Sequence, residues 1–84
     1  MEEAVVFDFS LLRGRIREFY QSEKKFAEAM RDSNIGMSTG AFNNKINGKT
    51  SFTATEIYVM CQLLHITLEE MHKYFFTRKY EFNS

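Results

Sequence analysis

The sequence predicts an all-α domain of five short helices, on three observations. Apolar residues recur at helical spacing in five segments, hydroxyl and Asx residues mark the segment starts, and the 84-residue chain contains no proline. Both termini are rich in β-forming residues, which leaves open short strands within 4–7 and 76–82 that could pair with each other. At this length we expect a single domain over 1–84, with a core of about 8–76.

The first two helices are predicted from their apolar faces. The first begins after Asp8 or Ser10 and ends near Tyr20. Its apolar residues at helical spacing are Phe9, Leu12, Ile16 and Phe19. The second opens at Ser22, and its apolar side carries Phe26, Ala27 and Met30.

A short third helix is predicted over 39–46. Ser38 can cap its start, and Phe42 and Ile46 form an inward pair four residues apart. Gly48 is suited to the left-handed position that often follows a helix end. The remaining side chains of this helix are therefore expected to face outward.

The fourth and fifth helices are predicted from two matching start signals. Residues 53–56 and 67–70 both have the Thr-x-x-Glu pattern of a capping box. The apolar residues that follow are Ile57, Met60, Cys61 and Leu64 in the fourth helix, and Leu68, Met71 and Phe75 in the fifth. His65, at the end of the fourth helix, tolerates a positive φ better than most residues.

The sequence shows no arrangement that predicts catalysis, a metal site or a cofactor. Cys61 and His65 lie four apart on one helix, but two ligands do not complete a zinc site, so we interpret them as a core residue and a helix-end residue. No apolar run is long enough to span a bilayer. The acidic start Met1-Glu2-Glu3 and the single cysteine favour a cytoplasmic protein without a membrane partner.

Segments 22–30 and 36–49 together resemble the helix-turn-helix of Cro/repressor-type phage and bacterial regulators. Phe26-Ala27 matches the packing pair of the family's second helix, Gly36 the turn glycine, and Phe42 the buried residue of the recognition helix. Residues 60–71 look like the family's closing helices. More narrowly, segments 7–10, 44–52 and 72–77 look like a small phage family of Cro-like proteins.

The chain departs from that pattern at 31–35. The family has essentially no residues between the positions of Met30 and Gly36, where this chain has five. Either the second helix runs about one turn further, or a loop bulges out before the glycine. In both cases the angle at which the third helix would meet DNA is affected.

The resemblance implies DNA-binding positions on and around the third helix. Amide, hydroxyl and ammonium groups without a carboxylate suit the edges of bases in the major groove. The predicted base-reading residues are Thr39, Gly40, Asn43 and Asn44. The predicted phosphate-contacting residues are Ser22, Lys24, Ser38, Lys45, Asn47, Lys49, Thr50 and Ser51. The family usually has glutamine at the position of Glu23. The glutamate carboxylate is unfavourable there, because its negative charge repels a phosphate.

The charge distribution is compatible with this function, although the formal net charge is zero. The net charge is −3 over 1–12, +4 over 13–49 and −1 over 50–84, so the positive charge is concentrated around the helix-turn-helix. Arg13, Arg15 and Arg17 could add to the field, although an arginine run on a helix is more often a solvated face.

The predicted function is that of a phage or prophage transcriptional regulator, a Cro-like repressor that binds double-stranded operator DNA in the cytoplasm of a bacterial host. Two copies are expected on a pseudo-palindrome. The alternative is a helix-turn-helix protein-interaction module, such as an antirepressor that binds another phage or host regulator. We do not expect an enzyme, because no nucleophile, base and pocket can be assembled.

An aromatic C-terminal segment is the predicted dimer surface. Its residues are Tyr74, Phe75, Phe76, Tyr80 and Phe82, with Val5, Val6 and Phe7 as candidate neighbours. The alternative is that both ends of the chain fold back onto their own domain.

Overall fold

Five helices follow one another in the order that the sequence predicts. A computed structural model describes residues 6–78. The helices are α1 (Ser10–Tyr20), α2 (Glu23–Arg31), α3 (Thr39–Ile46), α4 (Ala54–Leu64) and α5 (Met71–Phe75). The all-α prediction is confirmed. Among the described residues, no helix has the length and hydropathy that crossing a membrane requires.

The core lies where these helices meet. α1 packs against α2, α4 and α5, and α2 packs against α3. The buried side chains are Leu12, Ile16, Phe26, Ala27, Met30, Met37, Phe42, Ile46, Ile57, Met60, Cys61, Leu64, Ile66 and Phe75. A series of neighbouring rings connects helices that are distant in sequence: Tyr20–Phe26, Phe26–Phe42, Phe42–Phe52 and Phe52–Phe75. Most of the predicted inward positions therefore belong to one core.

The predicted starts of α2, α3 and α4 are confirmed, whereas α1 begins after Phe9 without a side-chain cap. Ser22 and Ser38 accept hydrogen bonds from backbone N–H groups three residues ahead, both at 3.1 Å. Thr53 begins α4 with a complete capping box. His65 and Gly48 take positive φ values of 55° and 84°. Short polar side chains and glycine thus set the length of these helices.

The fifth helix is shorter than predicted. Half of the predicted capping box is present, because the Glu70 N–H donates to the Thr67 hydroxyl at 3.3 Å. The other half is not: the Glu70 carboxylate accepts from the Thr67 hydroxyl instead of from the Thr67 backbone N–H. Residues 68–70 form a turn closed by hydrogen bonds between residues three apart, and α5 begins only at Met71. Leu68 is consequently 70% exposed instead of facing inward. Phe19 of α1 is also partly exposed.

The extra residues before Gly36 form a loop, so the second of the two alternatives is correct. α2 ends at Arg31, and the Ser33 and Gly36 N–H groups bind the Met30 and Ser33 carbonyls. Gly36 has a φ of 59°, in the left-handed region that glycine adopts without a steric penalty. The side chain of Met37, at the end of this loop, is buried in the core and fixes the loop to it.

The two ends of the described chain lie side by side. Phe7 and Arg78 form a single antiparallel bridge, and the Asp8 N–H donates to the Thr77 carbonyl at 2.7 Å. The rings of Phe7 and Phe76 meet edge to face. Within residues 6–78, the candidate strands at the two ends are thus reduced to this single bridge. The rest of those candidate strands, 4–5 and 79–82, lies outside the described residues.

Candidate nucleic-acid interface

α3 lies on the surface because its two apolar residues fix one face. Phe42 is fully buried and Ile46 is 3% exposed. The Phe42 ring packs against that of Phe26 in α2, with 5.6 Å between centroids. The opposite face of α3 must therefore point away from the core.

The outward face has the residues that helical geometry predicts. Gly40, Asn43 and Asn44 are exposed, and Thr39 is half-buried at the start of the helix. No carboxylate occurs in α3. The loop over 32–38 does not cover Gly40, Asn43 or Asn44. The face therefore offers amide donors and acceptors to a partner.

Gly40 is not required by the packing of the described chain. A Cβ atom at this position would meet nothing within 4 Å apart from its chain neighbours and the nearby backbone of its own helix, and φ is in the ordinary helical region. Glycine is costly inside a helix, by up to about 1 kcal/mol relative to alanine. Its presence on the outward face is thus compatible with the close approach of a partner.

The exit loop after α3 is compact and polar. The N–H groups of Gly48 and Lys49 donate to the carbonyls of Lys45 and Asn44, at 3.1 and 2.8 Å. The four predicted phosphate-contacting residues of this loop, Asn47, Lys49, Thr50 and Ser51, are all exposed. The loop turns back on the last turn of α3, because the Lys49 N–H binds the Asn44 carbonyl.

The start of α2 combines a cap with charged residues. The Ser22 hydroxyl caps the helix, and Lys24 is exposed. Glu23, which is unfavourable beside a phosphate, is paired with Arg13 at 2.7 Å and with Arg17 at 3.4 Å. The carboxylate is therefore compensated from within the protein.

Lys45 differs from the other predicted phosphate contacts. Its ammonium lies 2.6 Å from the Glu56 carboxylate, and the two side chains are only 15% and 14% exposed. Burial acts to raise the pKa of Glu56, but hydrogen bonds from Lys45 and from the Thr53 N–H, with the attraction of the lysine charge, outweigh it and lower that pKa. The Lys45 charge is thus used to join α3 to the start of α4.

Arg13 and Arg15 have structural contacts that sequence analysis did not identify. Arg13 donates to Glu23, the Ile46 carbonyl and the Asn47 side chain. Arg15 donates to the carbonyls of Leu64 and His65, both at 2.9 Å, and so closes the end of α4. These partners lie 10 to 50 residues away in sequence, so no local signal in the chain indicated them.

The predicted dimer surface is only partly a surface. Phe75 is 2% exposed and belongs to the core, because it is the residue of α5 that packs inward, so it has to be removed from that set. Tyr74 is partly buried against the core, whereas Phe76 and Val6 are 45% and 53% exposed. Tyr80, Phe82 and Val5 lie outside the described residues.

The cysteine and histidine on α4 occupy different environments. Cys61 is buried, and burial raises the pKa of its thiol. His65 is exposed at the left-handed end of the helix, as interpreted from the sequence. Among residues 6–78, no group of three His, Cys, Asp or Glu side chains is placed to hold a metal ion.

Comparison with known proteins places the chain in one family. No curated protein matches it. A family described as "Protein of unknown function (DUF739)" matches residues 5–78, which include all five helices. The chain belongs to the DUF739 family.

Proposed function

We propose that this chain is a DNA-binding transcriptional regulator of the Cro/repressor helix-turn-helix type, encoded by a phage or prophage and acting in the bacterial cytoplasm. The observation that carries the proposal is the outward face of α3: exposed Asn43 and Asn44 beside Gly40, without a carboxylate, on a helix anchored by Phe42. Asparagine can bind adenine through two hydrogen bonds in the major groove.

The surroundings of α3 support a contact with the DNA backbone. Lys24 at the start of α2 and Lys49 in the exit loop are exposed, as are the hydroxyl residues Thr50 and Ser51. Backbone contacts would set the register of the protein on the duplex, while α3 would read the bases. Repression would follow from occupying the operator, without any chemical step.

Two copies would bind one operator. Regulators with this motif bind half-sites about one DNA turn apart, with the symmetry of the protein matching that of the site. The exposed side chains of Val6 and Phe76 are candidates for the contact between the two copies.

The decisive experiment is the selection of bound sequences from a random pool of double-stranded DNA. We expect enrichment of a pseudo-palindrome with half-sites about 10 base pairs apart, centre to centre. A pool that remains random after several rounds, with no retention on a DNA column at low salt, would contradict the proposal.

A second candidate function is a protein-interaction module such as an antirepressor. It is favoured by the zero net charge and by exposed apolar side chains, among them Leu68 at 70% and Tyr58 at 55%. Retention on heparin that falls steeply with salt would favour the DNA-binding function. Absence of DNA retention, together with capture of a phage or host regulator, would favour the module.

A further inference from the structure

One arginine connects three parts of the helix-turn-helix. Nη1 of Arg13 donates to both carboxylate oxygens of Glu23, at 2.7 and 2.8 Å. Nη2 donates to the Ile46 carbonyl at 3.1 Å and to Oδ1 of Asn47 at 2.9 Å. A side chain of α1 therefore holds the first residue of α2 and the end of α3 at the same time.

The first consequence concerns charge. Glu23 is the first residue of α2, next to the Ser22 cap. An uncompensated carboxylate there would repel a phosphate approaching the start of the helix, because its field extends over several ångströms at moderate salt. The guanidinium of Arg13, which contacts both oxygens, compensates this charge at its source.

The second consequence concerns the orientation of an amide. A guanidinium has only donors, so the atom of the Asn47 amide that faces Arg13 must be the oxygen. The Nδ2 group then points away from Arg13, and Asn47 is exposed. Arg13 thereby turns this side chain into a donor available to an anion.

We propose that Arg13 is a positioning residue of the DNA interface, which makes the start of α2 and the exit loop acceptable to phosphate by compensating Glu23 and orienting Asn47. This inference rests on the proposed function. It assigns to Arg13 an effect on DNA affinity through two other residues rather than through its own contact with DNA.

The experiment compares variants by fluorescence anisotropy with a labelled mixed-sequence duplex of 24 base pairs at low salt. Arg13→Gln should weaken binding about tenfold, because it removes a positive charge and leaves Glu23 with only its longer, more exposed contact to Arg17, at 3.4 Å. Arg31→Gln is the matched control: Arg31 also pairs with an adjacent carboxylate, Asp32, but lies at the other end of α2. It changes the net charge equally and should weaken binding only about twofold.

A purely structural role of the ion pair is tested by its other partner. Glu23→Gln breaks the same pair, but we expect it to bind DNA as strongly as the wild type or more strongly. In the double variant Arg13→Gln/Glu23→Gln, we expect the affinity to return to within about threefold of the wild type. Arg13→Lys keeps the charge beside Glu23 but has no second arm for Asn47, so its loss should be intermediate. Thermal melts of each variant confirm that the folded protein is being compared.

The results separate the inference from the function on which it rests. If the wild type binds the duplex and Arg13→Gln is no weaker than Arg31→Gln, the inference is overturned and the proposed function stands. Equal weakening by Arg13→Gln and Glu23→Gln also overturns it, since that pattern indicates a fold-stabilising pair alone. If the wild type does not bind duplex DNA at low salt, the proposed function fails and the inference fails with it.

Discussion

The two sides of α3 differ in how far their side chains are already committed to contacts within the protein. On the inner side, Phe42 and Ile46 are buried and Lys45 is paired with Glu56. On the outer side, Asn43 and Asn44 are exposed. In this eight-residue helix, stability depends on residues of the inner side and the proposed recognition on residues of the outer side, so each can be changed alone.

The same contrast separates two lysines that sequence analysis grouped together. Lys45 and Lys49 lie four residues apart, and both are predicted phosphate contacts. The first is 15% exposed and held by a carboxylate, whereas the second is exposed in the exit loop. Position relative to α4, rather than residue type, decides which lysine is available to a polyanion.

The largest expected effect is on the inner side. Phe42→Ala should lower the free energy of unfolding by about 3–5 kcal/mol, because it removes a fully buried ring that contacts Phe26. Urea denaturation followed by circular dichroism measures this change. Phe76→Ala, at a ring that is 45% exposed, is the control and should cost about 1 kcal/mol or less. Equal losses would mean that α3 is not anchored through Phe42.

On the outer side, Asn44→Ala should affect binding and leave folding unchanged. We expect the affinity for the selected operator to fall by about 1–3 kcal/mol, with relaxed preference at one base pair. Asn34→Ala is the matched control, since Asn34 is an exposed asparagine in the loop before α3. Wild-type affinity in Asn44→Ala would show that the outward face does not read bases.

How much of this arrangement the sequence predicts depends on the range of the contacts. The caps at Ser22, Ser38 and Thr53 and the inward pair of α3 depend on residues within one or two turns, and sequence analysis placed them correctly. The predicted start of α5 was wrong although the capping pattern was present. The Glu70 carboxylate binds the Thr67 hydroxyl, and the following turn is tighter than an α-helix.

The ion pairs could not be predicted, since they depend on how separate helices approach. Arg13 reaches Glu23 ten residues away and Asn47 thirty-four away, and Lys45 reaches Glu56 eleven away. Long charged side chains have many alternative partners on a surface, and only the tertiary packing selects one. The outward face was predictable for the converse reason: it follows from the inward pair by helical geometry alone.

The Lys45–Glu56 pair predicts a dependence of stability on pH. The pKa of Glu56 is lower in the folded chain than its ordinary value of 4.5, so the folded state binds its proton less readily. This contribution is complete above the ordinary pKa and is lost as the pH falls through the folded-state value. Chemical denaturation from pH 7 down to pH 3 should therefore show a decrease below about pH 4.5 to which Glu56 contributes.

Glu56→Gln isolates that contribution. Glutamine can still accept the Thr53 N–H hydrogen bond of the capping box, so the main change is the unpaired Lys45 charge, with an expected loss of about 1–2 kcal/mol at pH 7. The double variant Lys45→Met/Glu56→Gln should recover most of it, because neither charge remains in this poorly exposed site. No difference in the acid profile between wild type and Glu56→Gln would contradict the assignment.

Lys49 provides the corresponding test in the exit loop. Lys49→Ala should weaken binding to operator and unrelated duplexes alike, and reduce the slope of log K against log salt by about 0.9 for the lost phosphate contact. Its stability should be close to that of the wild type, because the side chain is exposed. An unchanged salt slope would place the phosphate contacts elsewhere.

The smallest expected effect is that of Gly40→Ala on the outer side of α3. This substitution should increase the stability of the fold but decrease the affinity for DNA, so it separates the two properties. Gly40→Ala should raise the free energy of unfolding by about 0.5–1 kcal/mol, since alanine favours the helix and its Cβ meets no atom within 4 Å. If DNA lies against this part of α3, the same methyl group should weaken operator binding. The comparison is Gly14→Ala, because Gly14 is equally open but belongs to α1 rather than α3, so it should stabilise the fold without affecting DNA affinity. A Gly40→Ala variant that is more stable and binds its operator normally would show that the backbone of α3 does not approach the duplex closely at this point.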